Sequence, residues 1–341
     1  MSDSVRQGWA IIRVLYCAET KPMQATARAQ PNIALIKYWG KRDPARNLPA
    51  VGSISITLSD LHTEMCVEVD ESMRDDVLIV NEREDRDMLP RVKRCLDTIV
   101  GKPRPAVRVV SRCNFPIAAG LASSASAFAA LVVAADSMLG QSRDTAELAG
   151  LAGRASGSAA RSLYGGFVEL ENRDDDIFVS QLLRSDEWPL RVVVAITTPG
   201  PKPLGSSDAM EISRRTSPFY ARWIERQPAD LDEARTAIAN RDFAKLGSVA
   251  EHNCLKMHSV MWGSRPPVIY WHSATLACMQ TVRDLQSEGV GVFFTIDAGP
   301  QVKAICLPEE EARVRAALAD TTGVSDIMVS GLGARARLVL R

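Results

Sequence analysis

From Thr26 onward, apolar and polar residues follow one another in short, regular stretches. Asn32-Ile-Ala-Leu-Ile-Lys-Tyr38 predicts a strand. Ser53-Ile-Ser-Ile-Thr-Leu58 alternates with period two, as a strand with one buried face should. Thr63 to Val69, Asp76 to Val80 and Val107 to Ser111 predict further strands. Residues 84–100 place Met88, Val92, Cys95, Leu96 and Ile99 on one side at helical spacing, and Pro90 marks where a regular helix can start. Residues 121–138 are rich in Ala and predict a buried helix. Thr145 to Ala155 predicts a second helix and Phe167 to Leu170 a returning strand.

The second half opens on a strong apolar strand, Arg191 to Ile196. A loop rich in Pro, Gly and Ser follows over 197–208. Helices are predicted over 209–224, 229–239, 242–261 and 273–288. Strands follow at 291–296 and 301–307, then a helix at 308–320, then strands at 327–329 and 336–340. Trp262 and Trp271 flank Pro266-Pro267, which should separate two helices while the indoles pack in the core. The mixture of strands and helices in each half predicts an α+β fold. Its expected parts are an N-terminal extension over 1–24, a first domain over 25–188 and a second over 189–341. Within the extension, Arg13 splits the apolar run Trp9 to Tyr16 and no clear cleavage site follows. That favours an extension over a signal peptide.

Composition narrows the chemistry. The 41 Lys and Arg balance the 41 Asp and Glu, so no global field draws the chain to nucleic acid or an anionic membrane, and any anion site must be local. No apolar run reaches the length of a membrane span. The seven cysteines are scattered, odd in number and without a paired spacing. This pattern predicts reduced thiols in a cytoplasmic protein, with no disulfide framework and no protein-held metal. His252 and His258 are six apart, which does not put them on one helix face.

Four polar clusters stand at predicted element ends. In Asn114-Phe-Pro-Ile-Ala-Ala-Gly-Leu-Ala-Ser-Ser-Ala-Ser126, Gly120 and its small neighbours permit close backbone approach. Ser123, Ser124 and Ser126 bring hydroxyls to the free N–H groups of a helix start. That combination suits a phosphate, though a plain N-capped helix has the same look. No Gly-Lys-Ser/Thr follows, so it is not a Walker A loop. Lys37-Tyr-Trp-Gly-Lys41-Arg-Asp43 offers cations and a phenol to a multiply charged anion, or to solvent. Ser156-Gly-Ser-Ala-Ala-Arg161 converges two hydroxyls and a guanidinium, or caps a helix. Asp297 leaves an apolar strand at Ala298-Gly-Pro300, where it is either a turn former or a desolvated acid beside a cation such as Lys37. An acid, several cations and a Ser-rich loop together suggest phosphoryl transfer to a hydroxyl.

These four motifs, in this order and over about residues 26 to 340, resemble the diphosphomevalonate decarboxylases of the GHMP kinase superfamily. The resemblance implies a two-domain fold, with an N-terminal half like ribosomal protein S5 domain 2 and a ferredoxin-like C-terminal half. It implies ATP-dependent decarboxylation of mevalonate 5-diphosphate to isopentenyl diphosphate, by way of phosphorylation at C3. ATP with Mg²⁺ on the nucleotide and a homodimeric assembly are implied too. So are residue roles. Asp297, Lys37 and Arg161 would be catalytic. Tyr38, Lys41, Ser156, Ser158, Arg161, Ser206 and Ser207 would bind the substrate. Gly120, Ala122, Ser123, Ser124 and Ser126 would contact ATP.

Three departures from the family pattern bear on the substrate's phosphate end. Gln301 stands where Asn is common, and should keep the amide with a longer reach. Asp208 follows Ser206 and Ser207, adding negative charge near an anion. The stretch after Asn47, Ala50-Val-Gly-Ser-Ile-Ser55, is poorer in Ser. Decarboxylation of the 5-monophosphate and 3-phosphorylation alone are the sister activities of the same scaffold. A non-catalytic sensor is the alternative from another class.

Overall fold

The computed structural model describes residues 24–70, 72–115, 123–173, 175–197 and 204–339. Their strands form three sheets and a short ribbon. The six-stranded sheet runs β16 (Arg337–Leu338), β1 (Gln24–Ala29), β6 (Thr63–Val69), β9 (Val107–Cys113), β7 (Val77–Val80), β8 (Arg83–Glu84). Its one parallel pair, β7 with β9, is joined through helix α1 (Leu89–Val100). A second, antiparallel sheet runs β11 (Asp176–Leu183), β10 (Phe167–Arg173), β5 (Ser53–Thr57), β2 (Asn32–Ile36). The third runs β13 (Val292–Ile296), β14 (Val302–Cys306), β12 (Arg191–Ile196), β15 (Asp326–Ser330). All its pairs are antiparallel. With helices between β12 and β13 and again between β14 and β15, this is the expected ferredoxin-like half. The ribbon pairs β3 (Lys41–Asp43) with β4 (Leu48–Pro49).

Helix α2 (Ser123–Met138) buries residues on every side, among them Phe128, Leu131, Val132 and Ala135, and packs on β1 and β6. Its alanines let it lie close to the sheet, as the Ala-rich sequence predicts. Helix α3 (Thr145–Ala155) begins at Asp144, which forms a capping box with Glu147.

The structure corrects several expectations. Strand β5 is buried on both faces, so its alternation does not mark a solvent side. Ile54 and Ile56 enter one core, while Ser53 and Ser55 face a buried guanidinium. Strand β11 is absent from the expected elements, because as an outer strand it buries little besides Val179 and carries no clear apolar period. Helices α4 (Ser206–Thr216) and α5 (Tyr220–Asn240) divide earlier than expected. Ser217 precedes Pro218 and is pushed into extended backbone, which ends α4. Pro228, by contrast, lies inside α5, where the buried Trp223, Gln227 and Leu231 hold the helix in place. Helix α6 (Phe243–Trp262) ends at Trp262, which is 43 % exposed rather than in the core. Trp271 packs against His258 with ring centroids 4.3 Å apart and the planes tilted by 41°.

The segment after β15 ties the sheets together. Gly333 donates to Thr57 O and accepts from Gly166 N, and Leu332 bridges Leu58. β16 then returns to the first sheet beside β1. A Cβ at Gly333 would lie 2.1 Å from the Leu58 carbonyl oxygen, a backbone atom that cannot swing away. Gly333→Ala should therefore cost about 1–3 kcal/mol of stability by overpacking. Gly150→Ala, on α3 with open space around it, should be neutral or stabilising by up to about 1 kcal/mol. Thermal melts of both variants check the contrast, and equal melting temperatures would contradict the tight junction.

Candidate active site

One cleft of about 1210 Å³ gathers all four polar clusters. Lys37 and Tyr38 enter just beyond the end of β2, and Lys41 opens β3. Ser123 and Ser124 stand at the start of α2. Ser156, Ser158 and Arg161 come from the turn and 3-10 helix after α3. Ser206 and Ser207 open α4, and Asp297 leaves β13. Ser206 and Ser207, expected in a loop, thus sit in the first turn of a helix. Gly120 and Ala122 lie outside the described residues. Ser126 is drawn out of the phosphate-contacting set. Its hydroxyl is fully buried, 2.7 Å from Thr63 Oγ1, and donates to Ser123 O inside the core.

The floor of the cleft is a charge cluster. Lys37 Nζ donates to Asp297 Oδ1 at 2.7 Å and to Ala34 O at 2.8 Å. Lys303 Nζ, from β14, lies 3.4 Å from Asp297 Oδ2. The two lysines are 1 % and 0 % exposed. Burial alone pushes the Asp297 carboxyl up, but the two ammonium groups overcome it and hold the pKa at about 2. Arg161, 2 % exposed, is gripped by neutral oxygens: Ser53 Oγ at 2.6 Å, Ser55 Oγ at 3.0 Å and Asn32 Oδ1 at 3.1 Å. Burial lowers its pKa to about 10, against the pull of Asp297 and Tyr38, so it stays charged at neutral pH.

Two helices hold this floor in register. Gln227 Nε2 on α5 donates to Lys37 O, and Asn253 Oδ1 on α6 accepts from Lys37 N. Asn253 in turn donates to Gln227 Oε1 and Asp230 Oδ2. On the same helix, Glu251 accepts from Phe294 N and Cys254 Sγ from Ile296 N, while His258 Nε2 meets Ile296 O at 3.3 Å. Burial drives the His258 pKa down to about 3, so the ring is neutral. A register irregularity between Ala34 and Ile36 precedes Lys37 and re-aims the chain where it leaves β2.

The outer cleft is also cationic. Lys41 Nζ reaches Ser207 Oγ at 3.2 Å. Its pKa is lowered by burial and by the nearby Arg91, with Asp208 and Glu211 acting the other way. Arg91 donates to Ala155 O and lies over the Phe128 ring. Arg46, Arg94 and Arg154 line the same opening. The Tyr38 hydroxyl is buried with no hydrogen-bond partner among the described residues, and burial raises its pKa. A Cβ at Gly157 would lie 2.6 Å from it, so the small residue there makes room for the phenol. Ser124 Oγ and Ser156 Oγ approach to 3.4 Å, joining the two Ser-bearing turns.

Two residues stand outside the sequence motifs: Arg91, which lines the cleft, and Lys303, which is buried behind Asp297. A Lys between Val302 and Ala304 in an apolar strand is the available signal for Lys303. Arg91 is masked by the amphipathic pattern of α1. Gln301, fully buried, keeps the amide expected there and uses its oxygen within the fold. Its Oε1 accepts from Thr197 N at 2.6 Å and fastens β14 to the end of β12.

Two family models match the chain: the diphosphomevalonate decarboxylase-like N-terminal domain over residues 29–179, and the mevalonate 5-diphosphate decarboxylase C-terminal domain over 192–331. The diphosphomevalonate decarboxylase of Candida albicans is 35 % identical over 298 residues, 81 % of this chain and 82 % of that one. The mevalonate diphosphate decarboxylase of Enterococcus faecalis, in a structure concerned with mevalonate diphosphate mediated ATP binding, is 33 % identical with a TM-score of 0.86. It covers 93 % of this chain and 99 % of its own. A structure of MDDEF in complex with MVAPP, AMPPCP and magnesium is 34 % identical with a TM-score of 0.87, over 93 % and 99 %.

Arg91 stands close enough to Lys41 to disfavour its charge, an arrangement that a polyanion relieves. Inorganic pyrophosphate should therefore raise the melting temperature, by the equivalent of about 2.7 kcal/mol at a hundred times its Kd. Arg91→Gln and Lys41→Gln should each shrink the rise, and Arg184→Gln, at an exposed position outside the cleft, should not. An equal rise in all four proteins would put the polyanion elsewhere.

Proposed function

The chain belongs to the diphosphomevalonate decarboxylase family, and from that premise we propose that it converts mevalonate 5-diphosphate and ATP into isopentenyl diphosphate, CO2, ADP and phosphate. The observation that carries this reading is the imbalance of buried charge. Lys37, Lys303 and Arg161 are buried around one carboxylate, Asp297. Such an excess favours an anionic ligand that brings its own negative charge into the floor.

In this reading the substrate's diphosphate lies toward Tyr38, Lys41, Arg91 and Ser207. Its carboxylate end meets Ser156, Ser158 and Arg161. Ser206 stands beside Ser207 on the substrate side, and Ser123 and Ser124 face the nucleotide phosphates. Among the described residues no group of three or more His, Cys, Asp or Glu could hold a metal. The hydroxyls at the start of α2 suit a phosphate-borne ion instead. Mg²⁺ bound with the nucleotide would supply charge neutralisation between its phosphates.

Asp297 orients the C3 hydroxyl and accepts its proton as the oxygen bonds to the transferred γ-phosphoryl group. Lys37 and Lys303 keep Asp297 ionised and so able to accept that proton. Lys37 neutralises the phosphoryl oxygens as they approach. The C3–O bond then breaks toward phosphate. Positive charge builds at C3, and the C–C bond electrons of the departing carboxylate close the double bond as CO2 leaves. The six described cysteines are free thiols, which supports a reducing, cytoplasmic setting. The family resemblance supports a homodimer, and sedimentation velocity should show a species of twice 37.2 kDa.

The test is CO2 release with ATP and Mg²⁺, comparing mevalonate, its 5-phosphate and its 5-diphosphate. CO2 matched one-to-one by ADP is expected with the diphosphate alone. Asp297→Asn should lower kcat by about 10²–10⁴-fold while leaving KM nearly unchanged. Release chiefly with the monophosphate would replace the substrate, and ADP without CO2 would make the enzyme a 3-kinase.

A further inference from the structure

We infer that Lys303 is a positioning residue for this reaction: it clamps the second carboxylate oxygen of Asp297 and so fixes the acid's plane against the C3 hydroxyl. The inference rests on the reading above and adds a residue that the sequence motifs do not include.

The geometry is specific. Asp297 has two oxygens and each has its own lysine, Lys37 on Oδ1 and Lys303 on Oδ2. Lys303 lies on β14 directly across from Thr295 of β13, two residues before Asp297, so its side chain rises on the face from which Asp297 departs. Thr295 Oγ1 and Lys37 Nζ both donate to Ala34 O, so β13 and β2 meet at one point beside this pair. A carboxylate held by one cation can rotate about its terminal bond, whereas one held at both oxygens cannot rotate without breaking a contact. Lys303 is fully buried, an arrangement that costs desolvation and is offset here by the shared carboxylate. Burial lowers its own pKa, and Asp297 raises it again. The other charged or titratable groups influencing Asp297 are Lys37 from β2, Arg161 from the 3-10 helix, and Cys254 and His258 from α6. Of these, His258 is neutral, and the Cys254 thiol is raised by burial. Among them only Lys37 and Lys303 pair directly with the carboxylate.

Lys303→Met keeps most of the buried stem and removes the charge. With mevalonate 5-diphosphate and ATP, kcat should fall by about 10- to 100-fold as the acid loses its orientation, while KM stays within about threefold. The sign of the pH effect follows from the lost cation. Asp297 must be ionised, and its pKa rises when one ammonium is removed. The acid limb of the kcat/KM profile should therefore move up by about one pH unit or more. In an Asp297→Asn background, Lys303→Met should add less than about a threefold further loss, because its effect runs through the carboxylate. If Lys303→Met does not fold, Lys303→Gln, which keeps a donor without charge, carries the same three readouts. Wild-type kcat and an unmoved acid limb would overturn the clamp. So would an equal loss of kcat in the Asp297→Asn background, which would mark a purely structural role. Absence of CO2 release by the wild-type enzyme would overturn the proposed reaction itself, and the clamp with it.

Discussion

Three buried cations surround one carboxylate at the floor of the cleft, two of them paired with it, and the rest of the structure is arranged to tolerate that imbalance. Moving an ammonium or guanidinium out of water costs several kcal/mol unless hydrogen bonds and opposite charge replace the solvent. Lys37 and Lys303 divide the two oxygens of Asp297 between them. Arg161 has no carboxylate within ion-pair distance among the described residues and is solvated instead by Ser53, Ser55 and Asn32. Those serines explain why β5 is buried on both faces: its polar side acts as a hydration shell built from protein. The surplus positive charge is then available to an anionic substrate, with little reorganisation when it arrives.

Such a floor works only if β2 and β13, which belong to different sheets, stay in register. Helix α6 provides the bond between them. Asn253 holds the backbone of Lys37, while Glu251, Cys254 and His258 hold that of Phe294 and Ile296. All four residues are buried, and the neutral state of His258 means this scaffolding adds no further positive charge beside Lys37 and Lys303. Glu251 contributes the opposite sign but is answered by Arg283 on α7 (Ser273–Ser287). Only small shifts of α6 would be compatible with an intact Lys37–Asp297 pair.

How much of the site the sequence discloses depends on where information of each kind resides. Local motifs mark the ends of elements, so Lys37, Arg161, Ser156 and Asp297 are legible from the sequence alone, and all four line one cleft. Lys303 escapes because its meaning lies in a cross-strand neighbour, Thr295, that periodicity does not reveal. Arg91 escapes because an Arg on an amphipathic helix ordinarily marks the solvent face, and only the fold turns that position toward Lys41. Ser126 misleads for the reverse reason. It belongs to a Ser-rich run, yet a helix turns each residue by about 100°, and that rotation carries its hydroxyl into the core against Thr63. Pro228 reads as a helix boundary because intrinsic preference opposes it inside a helix, and buried packing around Trp223 and Leu231 overrides that preference.

Under the proposed reaction, the same cations face opposing demands. A positive group near the substrate's carboxylate stabilises the ground state and resists the loss of CO2, because the departing group surrenders its charge. A positive group near the C3 oxygen favours the transfer of phosphate and then its departure, because charge accumulates there. Only the second kind lowers the barrier. The division seen in the floor suits that requirement. Lys37 and Lys303 are tied to Asp297 and hence to the reacting hydroxyl. Arg161 is held back in a cradle of neutral oxygens and has room to align a carboxylate without pairing it tightly. A second acid beside Arg161 would neutralise the surplus on which binding depends, and a third lysine there would hold the carboxylate too firmly to release it. The neutral residues Asn32, Ser53 and Ser55 avoid both outcomes.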